Sequence, residues 1–408
     1  MIIVSILITV NFHSPCRMNS NRRDFLKLCT YLGAASVVTY YSRDIRRVFS
    51  QTAQQSGGKV HLIWLQLASD TGCTISMLQA SNPDLIGAVQ DLSLSADYWQ
   101  TLMTPDYDLG WVTAGYTTED KSQVPVMNAA FGNAPVDVLV VEGSPLLGTP
   151  KGGSEGDFCR IGQYNGKDVT GLDLLLNLSA KASYIIALGQ CSAFGGIPAG
   201  NGNLTGATSV TDALSKKGVT TKHPVINLAG CPAHPDWTLI TLSSVLQGFT
   251  PDLDELGRPK AFFSSYIHDN CPRRGAYDRG QLATTFDDPV GCYWNLGCKG
   301  PITQSACAQT KWNNGVGFCT QGGPMCWGCM HPSFPDSPSS PFFKPAAITP
   351  EFLGLSADNF AEILLVGGVA AIGIHAARHV LTSKDEPGEE KKVIANAPAP
   401  QQKEVSAN

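Results

Sequence analysis

Short apolar runs recur along the first half of the chain. They are the runs at residues 60–66, 136–141, 184–188 and 225–228. Continuous apolar runs are typical of strands that are covered on both faces of a sheet. Helix-like segments alternate with these runs, among them residues 171–182 and 235–247. The alternation predicts an α/β domain with a mainly parallel sheet over residues 58–250.

The amino-terminal residues 1–57 have the pattern of a leader. The string Arg22-Arg23-Asp24-Phe25-Leu26-Lys27 precedes an apolar stretch that ends at Tyr41, which is the layout of a twin-arginine export signal. The alternative is a basic flank before a core helix. The export signal predicts a body that folds first and then lies on the outer face of the cell membrane, periplasmic or extracellular.

The carboxyl-terminal residues contain a second apolar stretch, which we interpret as a membrane anchor at residues 358–381. Residues 360–381 are about 22 mostly apolar positions, the length that spans a hydrocarbon core. A buried carboxyl-terminal helix is the alternative. The tail at residues 382–408 is rich in Lys, Glu, Pro and Ala, which predicts disorder and a cytoplasmic carboxyl terminus.

Composition narrows the class of protein. The 408 residues include 29 basic and 34 acidic side chains, for a net charge of −5, and this balance argues against a protein that coats nucleic acid. The thirteen cysteines are an odd number and cluster between Cys271 and Cys329. This distribution favours metal ligation over a disulfide framework.

Chemistry-bearing residues follow each predicted strand. Asp70 and Cys73 follow the first strand, Glu142 the second, Cys191 the third and Cys231 the fourth. Loops after the carboxyl ends of parallel strands converge on one crevice. We therefore expect Asp70 and the three cysteines to share a site, although a single cysteine is more often a small buried hydrophobe.

The second half of the chain holds two further ligand sets, and zinc and iron–sulfur clusters are both candidates for them. The sets are His268, Cys271, Cys292 and Cys298, and Cys307, Cys319, Cys326 and Cys329. A zinc ribbon has two close cysteine pairs, whereas this region has a single C-x-x-C pair, so spacing favours iron–sulfur. Without Cys16, Cys29 and Cys159, ten cysteines are left, and Asp70 and His268 bring the ligands to twelve, which suffices for three clusters.

The order of these motifs resembles the small subunit of membrane-bound, uptake-type nickel–iron hydrogenases over about residues 58–340. The strings that carry the resemblance are Asp70-Thr-Gly-Cys73, Val141-Glu-Gly-Ser144, Gly189-Gln-Cys191, Gly230-Cys231-Pro232, His268-x-x-Cys271-x-Arg-Arg274, Cys292-x5-Cys298-Lys-Gly-Pro301 and Gly322-Gly-Pro-Met-Cys326-x-x-Cys329. The resemblance implies a flavodoxin-like domain at residues 58–250, followed by a loop-rich iron–sulfur domain at residues 251–345.

The resemblance also implies three 4Fe–4S clusters and a ligand set for each. We call the sets the proximal group (Asp70, Cys73, Cys191, Cys231), the medial group (Cys307, Cys319, Cys326, Cys329) and the distal group (His268, Cys271, Cys292, Cys298). The nickel–iron centre would lie in a separate large subunit, so this chain has no catalytic residue of its own. Its role would be to pass electrons from dihydrogen oxidation to a membrane cytochrome b or a quinone-linked acceptor.

Other functions stay open on sequence alone. The chain could be a non-catalytic iron–sulfur adaptor of another membrane oxidoreductase, or a zinc-stabilised, membrane-tethered binding module. His375 and His379 lie four residues apart and could meet a haem, or they could simply be polar residues at a helix end.

The chain departs from the family pattern at two positions. Asp70 stands where the family usually has a cysteine, and it is either a carboxylate ligand or a cap for the following helix. Cys319 stands where many members have proline and a three-iron medial cluster. A fourth thiolate predicts a four-iron medial cluster, with the three-iron form as the alternative. Arg273 and Arg274 either help to seat the distal cluster or form plain ion pairs.

Overall fold

A computed structural model describes residues 60–81, 84–86, 94–102, 124–246, 248–335, 344–345, 365, 368–375 and 377. The chain divides into two compact units, residues 1–346 and residues 347–408. The predicted leader and the predicted tail lie outside the described residues.

Within the described residues, five parallel strands form one sheet. In chain order its strands are β1 Val60–Gln66, β2 Leu94–Trp99, β3 Val138–Glu142, β6 Tyr184–Leu188 and β7 Ile226–Leu228. Their spatial order is β2-β1-β3-β6-β7, the doubly wound order of flavodoxin-like sheets. The remaining two, β4 Arg160–Tyr164 and β5 Lys167–Thr170, pair as an antiparallel hairpin.

The helices are short and lie between and after the strands. They are α1 Gly72–Met77, α2 Val124–Phe131, α3 Gly171–Lys181, α4 Gly189–Phe194, α5 Val210–Lys216, α6 Pro235–Leu246, α7 Lys260–Phe263, α8 Arg274–Asp278 and α9 Cys307–Thr310. The longest, α6, has twelve residues, and α3 begins with a capping box between Thr170 and Asp173. Beyond α7 the backbone is mostly turns and 3₁₀ segments, as the predicted loop-rich region requires.

The two faces of the sheet contribute to two separate hydrophobic cores. Ile63 and Leu65 of β1 pack in one core with residues of α2, α3 and α5. Leu62 and Trp64, the alternate positions of the same strand, belong to the other core, which extends through α6 and α7 to Met330 in the cysteine-rich region. The cysteine-rich region therefore shares a continuous core with the sheet.

The predicted strands and helices are confirmed, with small changes of boundary. β1 and β6 begin and end at the predicted residues, whereas β3 begins two residues later and ends one residue later than predicted. The predicted helices correspond to α3 and α6. The sequence did not predict β2 or the β4–β5 hairpin.

The second unit is described only at residues 365, 368–375 and 377, which are helical where described. Leu365, Val369, Ile372 and Ile374 are exposed there. No helix within the described residues is long and apolar enough to cross a bilayer. Most of the predicted anchor at residues 358–381, including His379, lies outside the described residues.

Candidate metal centres

The proximal group lies at the carboxyl edge of the sheet. Cys73 lies in α1, which follows β1, Cys191 lies in α4, which follows β6, and Cys231 lies just after β7. Burial is the main reason that the pKa of the Cys73 thiol is raised, and the charges of Glu142, Cys191 and Cys231 raise it further. Three cysteines that lie far apart in sequence are thus electrostatic neighbours.

Asp70 belongs to the same neighbourhood and also contacts the start of α1. Burial and the charge of Cys231 raise the pKa of Cys191 to about 11, with a further contribution from Asp70. Asp70 likewise raises the pKa of Cys231, after burial. The Gly72 amide, at the first residue of α1, donates a hydrogen bond to Oδ1 of Asp70 at 2.8 Å, while the N-cap position itself is occupied by Thr71.

Glycines and a backbone amide lie close to the sulfur atoms of the proximal group. A Cβ added to Gly189, whose φ is +85°, would lie 2.4 Å from the sulfur of Cys73. A Cβ added to Gly196 would lie 3.0 Å from the sulfur of Cys191. The Ala233 amide donates to the Cys73 sulfur at 3.4 Å. Space and amide donors around cysteine sulfurs fit an iron–sulfur cluster.

Glu142 connects β1, α1 and β3 behind the proximal group. It is fully buried, and its carboxylate accepts hydrogen bonds from Trp64 Nε1 at 2.9 Å and from the Thr74 amide at 3.1 Å. The Thr74 hydroxyl donates to the same carboxylate. Because Thr74 follows Cys73, this carboxylate fixes the position of the Cys73 turn relative to the sheet.

The medial group lines a cavity of about 720 Å³. All four of its cysteines are in the lining, together with Cys231, Trp312, Phe318 and Met330. Burial raises the pKa of each of the four thiols, to about 11 for Cys307. Metal binding requires the thiolate form, so filling this site would release the thiol protons. The size of the cavity and its four cysteine donors fit an iron–sulfur cluster better than four cysteines that are buried for packing alone.

The distal group lies on three successive turns. Cys271 follows the 3₁₀ segment His268–Asn270, and Cys292 and Cys298 flank the segment Tyr293–Leu296. Burial raises the pKa of Cys292 to about 11, and Cys298 and Cys271 add to the shift. The Nε2 atom of His268 is buried and has no hydrogen-bond partner among the described residues. A buried imidazole nitrogen without a protein partner fits the role of a metal ligand.

The two arginines beside the distal group have different roles. Arg273 donates to the carbonyl oxygens of Asp288, Gly291 and Thr320 and to the hydroxyl of Tyr293. It therefore holds the loop before Cys292. Arg274 instead forms half-exposed ion pairs with Asp269 and Asp278.

The three groups are adjacent in series. Cys231, in the proximal group, lines the cavity of the medial group, where its amide lowers the pKa of the Cys329 thiol. The amide of Lys299, next to Cys298 of the distal group, donates to the carbonyl of Cys326 of the medial group at 2.8 Å, and the Cys326 amide lowers the pKa of the Cys298 thiol. Residues of each group therefore lie beside residues of the next.

No three or more histidine, cysteine, aspartate or glutamate side chains in the described part of the chain surround the position of one metal ion. A four-iron cluster binds its four protein ligands at different iron atoms, so its ligand set need not converge on one point. The sequence missed Ser305, Trp312 and Thr74, which contact the cysteines or Glu142, because their contacts depend on the tertiary fold.

Two family models match the chain. The model for the carboxyl-terminal region of the NiFe/NiFeSe hydrogenase small subunit matches residues 263–343. The model of the NADH ubiquinone oxidoreductase 20 kDa subunit matches residues 71–245. The two matched regions correspond to the part of the chain with the proximal group and the part with the other two groups.

Curated relatives and solved structures agree with these matches. The F420 non-reducing hydrogenase II small subunit of Methanosarcina mazei is 34% identical over 387 residues, which cover 89% of this chain and 94% of the relative. The periplasmic NiFeSe hydrogenase small subunit of Desulfomicrobium baculatum is 35% identical over 339 residues, covering 80% and 99%. The crystal structure of a reduced, active form of the D. baculatum NiFeSe hydrogenase matches with a TM-score of 0.61 at 35% identity, over 71% of this chain and 100% of that chain.

The fold and the cysteine groups are those of an electron-transfer subunit of an oxidoreductase. The chain belongs to the family of nickel–iron hydrogenase small subunits. It is the electron-transfer partner of a hydrogenase large subunit, and the nickel–iron centre lies in that partner.

Proposed function

We propose that this chain carries electrons from the large subunit, where dihydrogen is oxidised, through three 4Fe–4S clusters to a membrane acceptor. The observation that carries this proposal is that the three groups adjoin one another: Cys231 lines the cavity of the medial group, and the amide of Lys299, next to Cys298, donates to the Cys326 carbonyl at 2.8 Å. When bound, the clusters would supply one-electron redox chemistry. The protein would supply twelve ligands, namely the proximal, medial and distal groups defined above.

The large subunit would dock beside the proximal group. Ile75 of α1 and Leu78, the residue that ends this helix, are 56% and 55% exposed, and Ile197, which follows α4, is 56% exposed. Isolated apolar side chains are common on surfaces, but these three flank Cys73 and Cys191. Ile75→Asp should weaken copurification with the large subunit, whereas Val290→Asp, at a 57% exposed position near Cys292, should not.

The acceptor and the location complete the proposal. We infer a twin-arginine export signal in residues 1–57, an anchor at residues 358–381, a body on the outer face and a cytoplasmic carboxyl terminus. The relative from D. baculatum is named as periplasmic, which supports the outer face. The exposed apolar side chains of Leu365, Val369, Ile372 and Ile374 support a lipid-facing helix. The acceptor would be a membrane cytochrome b or a quinone-linked protein.

The test is anaerobic purification of the chain with the proteins that bind it. We expect hydrogen-dependent dye reduction, nickel in the complex, and about twelve iron atoms with acid-labile sulfide in this subunit. A complex without nickel would favour the adaptor function. Zinc without sulfide would overturn the iron–sulfur assignment.

A further inference from the structure

Two side chains outside the three ligand groups donate hydrogen bonds to one medial cysteine. The hydroxyl of Ser305, which is fully buried, lies 3.1 Å from the sulfur of Cys307. Trp312 lines the same cavity as Cys307, and a hydrogen bond from its side chain lowers the pKa of the Cys307 thiol. Neither residue type is a cluster ligand in any of the three groups, so their position against the sulfur calls for a separate explanation.

The single hydroxyl proton of Ser305 has two sulfur acceptors within reach, and charge favours Cys307 when that residue binds a cluster. The Cys307 amide donates to Ser305 Oγ at 3.2 Å, which uses an acceptor lone pair and orients the hydroxyl. The thioether of Met330 lies 2.9 Å from the same oxygen and competes as an acceptor. A thioether is a weak, uncharged acceptor, whereas a metal-bound thiolate carries negative charge, so the proton lies on the thiolate side.

Trp312 is held in place by a different part of the chain. Its backbone amide donates to the Gly317 carbonyl at 2.8 Å, which closes the turn above the cavity. Its ring lies 4.6 Å from the ring of His234, and the Nε2–H of His234 donates to the Lys311 carbonyl at 2.7 Å. The indole N–H is therefore fixed before a cluster is bound.

We propose that Ser305 and Trp312 are positioning residues that raise the reduction potential of the medial cluster through their hydrogen bonds to Cys307. The inference rests on the proposed function, because it requires Cys307 to be a cluster ligand. Reduction adds one negative charge to the cluster and its sulfurs, so fixed donors stabilise the reduced state more than the oxidised state. One electron enters the cluster and one leaves, while both donors keep their protons.

The experiment is a redox titration of the purified heterodimer, followed by electron paramagnetic resonance with iron counted in each sample. In Ser305→Ala, the ratio of reduced to oxidised medial cluster at the wild-type midpoint should fall about fivefold, as expected for the loss of one hydrogen bond of ordinary net strength. Trp312→Phe removes the second donor and keeps an aromatic ring, and it should also lower the ratio. In the variant with both substitutions, this ratio should fall further.

Two variants serve as matched controls. Ser305→Thr keeps the hydroxyl, and Met330→Leu keeps the volume while it removes the competing acceptor, so neither should lower the ratio. If Ser305→Ala loses medial iron, the ratio of reduced to oxidised medial cluster in Trp312→Phe becomes the test of the proposal. Full iron with an unchanged ratio in both donor variants would overturn this inference and leave the proposed function standing. A wild-type protein with iron only at the other two sites would overturn both.

Discussion

Cys326 and Cys298 are joined through the backbone in both directions. The amide of Lys299, the residue after Cys298, donates to the Cys326 carbonyl at 2.8 Å, and the Cys326 amide in turn lowers the pKa of the Cys298 thiol. A second contact brings Cys271 Sγ within 3.4 Å of the Thr320 hydroxyl. The backbone hydrogen bond between Lys299 and Cys326 fixes the spacing between the medial and distal groups independently of the side chains. Differences in electron transfer between related chains should therefore come from the side chains that contact the sulfurs.

Arg273 should be needed for the distal group, whereas Arg274 should not. Arg273→Met removes donors to three carbonyls and to Tyr293, and the loop before Cys292 should lose about 3 kcal/mol of local stability. Arg274→Met removes half-exposed ion pairs, which are worth about 0.5 kcal/mol or less, and a guanidinium contact 5.6 Å from the Tyr277 ring centroid. Hydrogen exchange of the loop, with the distal-cluster signal measured in parallel, checks both variants. Equal effects of the two substitutions would contradict the prediction.

Glu142 should stabilise the turn that carries Cys73. Glu142→Ala leaves the buried indole N–H of Trp64 and both donors of Thr74 without an acceptor, so the local free energy of unfolding should fall by about 3 kcal/mol. Faster hydrogen exchange of the α1 amides is the measurement. Glu142→Gln keeps an acceptor oxygen and should lie between alanine and wild type.

The matched control for Glu142 is Glu155→Ala. Glu155 pairs with Lys217 at an exposed position, and its loss should change local stability by about 0.5 kcal/mol or less. Wild-type exchange in Glu142→Ala would mean that the buried carboxylate does not hold the turn.

The strands that could be predicted are those with apolar runs. β1 and β6 are continuous apolar runs because each has a neighbour on either side and a core above and below. β2 lies at one edge of the sheet and carries the polar residues Ser95 and Asp97, so it lacks such a run. β7 lies at the other edge and was predicted, so the polar residues of β2 rather than its edge position alone explain why it was missed.

For the candidate site, the sequence predicted which loops come together but not the side chains that contact the cysteine sulfurs. The nearness of Asp70, Cys73 and Cys191 follows from the rule for parallel strand ends, and the structure places them together. The donors to Cys307 did not follow from sequence, because the position of the Trp312 indole depends on how the turn folds over the cavity. The ligand roles of the residues in the proximal, medial and distal groups stay predictions.

Cys319 should determine the iron content of the medial site. Cys319→Pro removes one of the four thiols that line the cavity, so the iron count should fall from about twelve to about eleven and a three-iron signal should appear. Cys159→Ser is the control, since Cys159 is a half-buried cysteine outside the three groups and its loss should leave the iron count unchanged. A wild-type count near eleven, with the three-iron signal already present, would show that Cys319 is not a ligand.

The two roles of Asp70 can be separated by three substitutions. Asp70→Asn keeps an oxygen that can accept from the Gly72 amide but removes the carboxylate, whereas Asp70→Ala removes both. If the carboxylate binds iron, both variants should lose iron or change the proximal-cluster spectrum. If Asp70 only caps α1, Asp70→Asn should match wild type and Asp70→Ala should mainly speed hydrogen exchange in α1, with a cost of about 1 kcal/mol. Asp70→Cys supplies a thiolate, a softer ligand than the exposed carboxylate, and should slow the loss of iron to a chelator relative to wild type. Loss at the wild-type rate in Asp70→Cys, together with a wild-type spectrum in Asp70→Asn, would assign Asp70 to the helix cap alone.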